Sequence, residues 1–206
     1  MFARSTTFQA RLDAVDDGVT FIREEVYPAL QPLDGYIGLS CLVNRGSGRC
    51  ISTTAWESEA AMRASDAQVL PLRERAADRF GARPEIRHWE IAVLHRMNRI
   101  PDGACARVTW TKADVALVED NIAAFRDTVP PQLEDIPGFC STSLLVDRTT
   151  GRSALATTYE SADALEDSRH AATSLRTDAT RRMSMDILEV AEFEVAMAHL
   201  RVPETV

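Results

Sequence analysis

Apolar residues fall every three or four positions at Leu12, Val15, Val19, Ile22, Val26 and Leu30. That spacing predicts a helix with one apolar stripe. The stripe returns further along the chain at Val115, Val118, Ile122, Phe125, Val129 and Leu133. Pro28 and Pro131 sit near its end, where a kink or stop is expected. Short strand-like stretches, Phe2 to Phe8 and Cys105 to Thr111, precede the two stripes. After each comes a turn, Asp34-Gly35 or Pro137-Gly138, and then a predicted hairpin. In the first copy its strands are Tyr36 to Asn44 and Cys50 to Trp56, joined by NRGSG; the second copy uses DRTTG. The glycine closing each loop suits a left-handed hairpin position. Ser58 and Ser161 read as N-caps of a second helix. That helix has one face of Ala61, Ser65, Val69, Leu72, Ala76 and Phe80, or Ala164, Ser168, Ala172, Leu175, Ala179 and Met183. Small residues near its start imply close approach to a sheet. Ile86 to His95 and Val190 to His199 alternate as final strands.

Everything in this pattern occurs twice, at an offset of 103 residues. Gly48–Ser65 and Gly151–Ser168 carry the clearest copy. Between 35 and 65, 12 of 31 positions are identical to those at 138–168, where composition alone gives roughly two or three. Ala3/Ala106, Arg4/Arg107, Arg23/Arg126, Leu72/Leu175 and Arg73/Arg176 match further out. With one inserted residue, WEIAV from Trp89 aligns with FEVAM from Phe193. The pattern predicts two tandem βαββαβ units of the ferredoxin-like, α+β kind. Unit 1 is expected at 1–96, a linker at 97–103, unit 2 at 104–200 and a C-terminal tail at 201–206. Each small antiparallel sheet has a second face to cover. The expected solution is that the two sheets pack together, as an intramolecular version of a dimeric α+β barrel.

The 206 residues are 45% hydrophobic and 26% charged, with a net charge of −8. That charge argues against a nucleic-acid partner, which needs clustered Lys and Arg. No apolar run is long enough for a membrane span, and MFARSTTFQARLDAV lacks the pattern of a signal peptide. A cytoplasmic, reduced setting is expected. Cys41, Cys50, Cys105 and Cys140 form no zinc-like cluster. Cys41 and Cys50 could face each other across the hairpin, so a disulfide there stays open. Nucleotide, triad and zincin motifs are absent.

A glycine-aromatic pair opening the second strand, followed by W-E-S-x-x-A at the second helix, resembles the antibiotic biosynthesis monooxygenase domains of the dimeric α+β barrel superfamily. The best motif is TTAWESEAAMRAS; TTYESADALEDS keeps Tyr where Trp is usual. The resemblance implies oxidation of polycyclic phenols by O2 with no metal, flavin or other cofactor. The substrate's own ionised ring is then the reductant, held by cations or donors in a dry aromatic pocket. It also implies that Trp56 walls the substrate, Arg73 holds its oxyanion and Ser52 positions it. In unit 2, Tyr159 and Arg176 take the first two roles, with His170 a candidate base. The family's strand Asn is Ser52 or Leu155 here, and its helix Tyr is Met62 or Leu165. The haem-degrading branch implies a strand Asn, a second Trp and a His ligand. Arg4, Ser65 and no His hold those places, with Glu74 and Thr177 near the ligand's, so the resemblance does not extend to that chemistry.

Each of these residues also has a plainer reading. Trp56 ends a strand beside a helix cap and fits packing. Arg73 and Arg176 fit structural ion pairs with Glu57 or Glu160. His88, His95 and His199 have no second ligand at suitable spacing. The leading expectation is therefore a cofactor-free monooxygenase, or a degenerate relative, acting on a small hydroxylated aromatic molecule. The alternative is a small-molecule binder or stress-related accessory protein on the same scaffold. A third reading gives only one copy a pocket. Association of the joined pair into a larger homo-oligomer is left open.

Overall fold

The computed structural model describes residues 1–200; the tail expected at 201–206 lies outside them. The fold is α+β with antiparallel strand pairs. By compactness the chain divides into one unit of Met1–Trp89 with the stretch from Val195, and another of Glu90–Glu194.

In the first unit, β1 (Phe2–Gln9), β2 (Tyr36–Asn44) and β3 (Arg49–Trp56) form antiparallel pairs with β3 in the middle. Phe2 and Tyr36 both meet Trp56, and Gln9 and Asn44 both meet Arg49. The first helical stretch runs through α1 (Val15–Phe21), a π-helical turn (Ile22–Val26) and α2 (Tyr27–Leu30). Tyr27 N bonds back to Ile22 O, five residues earlier. Such a turn loosens the helix just before Pro28, which lacks an N–H. The second stretch is α3 (Glu59–Ala64) and α4 (Asp66–Phe80), broken at Ser65. Val15, Val19, Ile22, Leu30, Leu39, Trp56, Met62 and Phe80 form the core.

In the second unit, β7 (Arg152–Tyr159) lies between β5 (Cys105–Lys112) and β6 (Phe139–Asp147). The Glu90–Arg96 part of β4 (Glu85–Arg96) pairs with β6. The Asp186–Glu194 part of β8 (Asp186–Leu200) pairs with β5. The helices are α5 (Val118–Glu134), α6 (Ala162–Asp167) and α7 (Arg169–Arg182), and α6 and α7 break at Ser168 as α3 and α4 break at Ser65. As the prolines led one to expect, α2 ends at Leu30, just after Pro28, and α5 ends at Glu134, within a turn of Pro131. Leu12 and Val115 depart from expectation. Both sit on 3-10 turns, 63% and 50% exposed, so the apolar stripe starts one helical turn later.

Local chemistry explains why both copies fold alike. The Ser58 and Ser161 hydroxyls each accept a hydrogen bond from the amide three residues on, at 3.1 Å, as N-caps do. Gly35 and Gly138 have φ of +70° and +77°. A Cβ on either would stand 2.6 or 2.5 Å from the Cβ of Ala61 or Ala164. Helix and turn therefore meet at a distance only Gly facing Ala permits. Among the described residues no helix is long and apolar enough to cross a membrane. All four cysteines are buried and free. Burial pushes the Cys41 and Cys50 thiols up to about 12 and about 11.

Candidate active site

The break between the two parts of the second helix leaves carbonyl groups that need partners. In unit 1, Ser65 Oγ donates to Met62 O at 2.7 Å, and the Arg4 guanidinium, reaching over from β1, donates to the same carbonyl and to Ser65 Oγ. Arg107 does the same from β5, donating to Leu165 O at 2.9 Å and to Ser168 Oγ at 3.0 Å. Arg4 and Arg107 are only 1% and 5% exposed. Each guanidinium lies 5.7 Å from an aromatic ring, that of Trp56 or of Tyr159. Buried cations need counter-charges. Arg4 has Asp66 at 2.7 Å. Arg107 has Glu192 at 2.9 Å, which Arg169 also reaches at 3.2 Å. Nothing was assigned to either Arg from sequence, and the usable signal was their identity in both copies.

The two units then diverge. In unit 1, Trp56 is wholly buried and satisfied, its Nε1 donating to Thr54 Oγ1 at 3.0 Å. Tyr36 packs edge-on against it. Met62 is also wholly buried, and Ser52 is buried on β3. The rings of Phe8 and Phe80 stack 4.5 Å apart. Phe80 presses so closely on Gly18 that any side chain there would overlap the ring. Arg73 lies close to Arg4, with Asp66 at 3.8 Å and its Nε without a hydrogen-bond partner. Burial, with Arg73 adding to it, pulls the Arg4 pKa below its ordinary value against the opposing pull of Asp66.

In unit 2 the matching positions are Thr111 for Phe8, Met183 for Phe80 and Asn121 for Gly18. A cavity opens beside them, lined by Arg107, Tyr159, Arg176, Thr111, Ser153 and Met183 among others. It measures about 70 Å³ and is open to solvent on one side. At ~10–15 Å³ of such volume per water it would hold several. Its walls are Phe125, Val129, Leu133, Leu144, Leu155 and Leu175. Tyr159 is 0% exposed, yet its hydroxyl has no hydrogen-bond partner. Arg176 bonds only the neutral Thr173 hydroxyl, at 3.1 Å. Burial first, and then Arg107, lower its pKa from the ordinary arginine value. Glu192 opposes that shift only in part. An unpartnered buried phenol and a cation hydrogen-bonded only to a neutral hydroxyl, at one end of an apolar cavity, suit an anionic or hydrogen-bonding ligand.

The structure thus brings Tyr159 and Arg176 together and adds Arg107. It sets Trp56, Met62 and Ser52 in a packed core. His170 is exposed on α7, outside the cavity lining. Among the described residues no three His, Cys, Asp or Glu side chains cluster as a metal site requires.

The fold defines the class: a ferredoxin-like α+β protein, here with a largely apolar cavity in its second unit. Solved structures with that fold cover nearly the whole chain. An anthrone oxidase-like protein superposes with a TM-score of 0.66 at 13% identity, over 97% of this chain and 93% of that one. A ferredoxin fold protein related to antibiotic biosynthesis monooxygenases, from Listeria monocytogenes, gives 0.55 at 7%, over 95% and 94%. LmHde, a heme-degrading enzyme from the same species, gives 0.56 at 8%, over 94% and 99%. At these identities they share the fold alone. No family model matches the chain. It belongs to the same family as the uncharacterized proteins Rv2557 and Rv2558 of Mycobacterium tuberculosis. They are 48% and 46% identical to it over its whole length, covering 92% and 88% of their own.

Proposed function

We propose that the second unit binds a small hydroxylated aromatic molecule as its anion and oxidises it with O2, without a recruited metal or flavin. The observation that carries this is the buried, unpartnered Tyr159 hydroxyl beside Arg176, at the head of an apolar cavity. The Arg176 cation holds the phenolate oxygen and Tyr159 Oη donates a hydrogen bond to it, both favouring the ionised ring. The apolar walls take the ring faces and exclude water. With an anthrone the balance is simple. The ring methylene loses two hydrogens, one oxygen atom becomes the new carbonyl, and the other leaves as water. Arg107 positions the head of the cavity, since its N–H groups are engaged by Glu192, Ser168 and Leu165 O. In unit 1, Trp56, Arg73, Ser52 and Met62 serve packing. We read the two units as a tandem duplication in which one copy kept a pocket, in a cytoplasmic protein.

One observation favours a second reading, binding without chemistry. No His, Asp or Glu lines the cavity, so no side chain there is placed to take the phenol's proton. Oxygen uptake with anthrone separates the two. The oxidase reading expects uptake that falls about 100-fold or more in Arg176→Ala and Tyr159→Phe, the usual size for an oxyanion donor, and is unchanged in Trp56→Phe. Saturable anthrone binding with no oxygen consumed leaves only the binder.

A further inference from the structure

Residues two apart along a strand share a face. On β5 the cavity face carries Arg107, Thr109 and Thr111; on β7 it carries Thr157, Leu155 and Ser153. The register pairs them as Arg107 with Thr157, Thr109 with Leu155 and Thr111 with Ser153. The floor of the cavity is therefore a lane of three cross-strand pairs. Its two ends are about 13 Å apart, four residues at the strand rise. The Arg107 and Tyr159 end is the head described above. The far end holds two hydroxyls, Thr111 Oγ1 and Ser153 Oγ, 2.6 Å apart.

When Ser153 donates within that pair, the Thr111 hydroxyl is left to donate to Met185 Sδ at 3.8 Å. A thioether is a weak acceptor, so an oxygen brought there by a ligand would be the better partner. The walls at this end are adaptable. A second cavity of about 30 Å³ continues past it and shares Phe125, Leu144, Ser153, Met183 and Met185 with the first. Methionine side chains re-pack readily around a guest. In unit 1 the corresponding positions hold Phe8, Cys50 and Phe80, which fill the space and offer no hydroxyl.

We infer that Thr111 and Ser153 form a second recognition site, which binds an oxygen at the far end of an elongated, otherwise apolar ligand. The inference rests on the reading that Tyr159 and Arg176 hold the ligand's anionic head. Isothermal titration with 2-naphthol, 2-hydroxyanthraquinone and 2,6-dihydroxyanthraquinone tests it. The first two probes carry one hydroxyl; the third carries a hydroxyl at each end. The dihydroxy probe binds the wild-type protein about fivefold or more tighter than the monohydroxy one, the scale of one added hydrogen bond. Thr111→Val with Ser153→Ala erases that ratio and leaves the monohydroxy affinity within about twofold. Thr111→Phe with Met183→Phe, copying unit 1, abolishes binding of both three-ring probes and retains 2-naphthol. Equal affinity for the two anthraquinones in the wild type, or a ratio that survives the Val/Ala pair, overturns the second site while 2-naphthol binding sensitive to Tyr159→Phe keeps the head. If 2-naphthol binding is absent or indifferent to Tyr159→Phe, the head reading falls and takes this inference with it.

Discussion

The two units use one scaffold and fill it differently. Both bury an arginine under the helix break, both cap the second helix with serine, and both set glycine against alanine where turn and helix touch. They part company on the sheet face under the helices. There unit 1 has a stacked Phe8–Phe80 pair and unit 2 has Thr111 and Met183 beside a cavity. Even the counter-charge has moved. Asp66 on the helix answers Arg4, while position 169 is arginine and Glu192 on the strand answers Arg107. The lesson is that the shared residues, Arg107 and Arg176 among them, frame the same space in both copies, and that space opens in unit 2 where Phe8 and Phe80 give way to Thr111 and Met183.

The comparison breaks most easily at the Phe80 and Met183 positions. Phe80→Ala removes a wholly buried ring from a packed core and costs unit 1 about 3–5 kcal/mol. Met183→Ala enlarges a space that is already open and costs nearer 2 kcal/mol, the low end for such a change. Urea unfolding, with amide exchange assigning the loss to β1 or β5, measures both. Equal losses would mean that unit 2 is as tightly packed as unit 1 and that its cavity closes in solution.

The sequence carried the fold further than the site, for a physical reason. Strands, helices and caps answer to local spacing, and two copies checked each other, so Ser58, Ser161 and the left-handed Gly48 stand as expected. Pro131 sits in the last turn of α5, which ends at Glu134, near where a kink or stop was expected. A cavity, by contrast, is a sum over side-chain volumes from five or more segments, and no periodicity encodes it. The resemblance drew attention to Trp56, whose indole turns out to be fully buried and hydrogen-bonded. The clue on the page was the pair of substitutions Phe8 to Thr111 and Phe80 to Met183, legible only once both were known to face the same space.

A smaller effect sharpens the comparison electrostatically. Hydrogen bonding to Arg148 lowers the Glu90 pKa below the ordinary carboxylate value and outweighs its burial. Because the folded pKa is the depressed one, this stabilisation is complete above the unfolded value, about 4.3, and is lost as pH falls through the folded pKa. The pair is partly exposed, so the effect is at most about 1 kcal/mol. Amide exchange along β6, followed from pH 6 downward, should show unit 2 loosening in that window. Glu90→Gln should flatten the trend. An unchanged slope in the variant would assign the acid sensitivity to other carboxylates.

The smallest expected effect on stability is the most telling about the pocket. Trp56→Phe loses an indole donor that has a partner in Thr54, and should cost about 1 kcal/mol for the hydrogen bond alone. Tyr159→Phe removes a hydroxyl buried without one. Burying an unpaired hydroxyl costs about 1–3 kcal/mol, so its removal should leave stability within about 0.5 kcal/mol or raise it, even as ligand binding is lost. Stability and binding would then move in opposite directions, as they do where a polar group is held ready for a ligand at the fold's expense. Urea midpoints of Tyr159→Phe with and without anthrone decide it. If the ligand-free variant lost more than about 1 kcal/mol, the phenol would have a partner inside the folded chain, and the head of the cavity would already be satisfied.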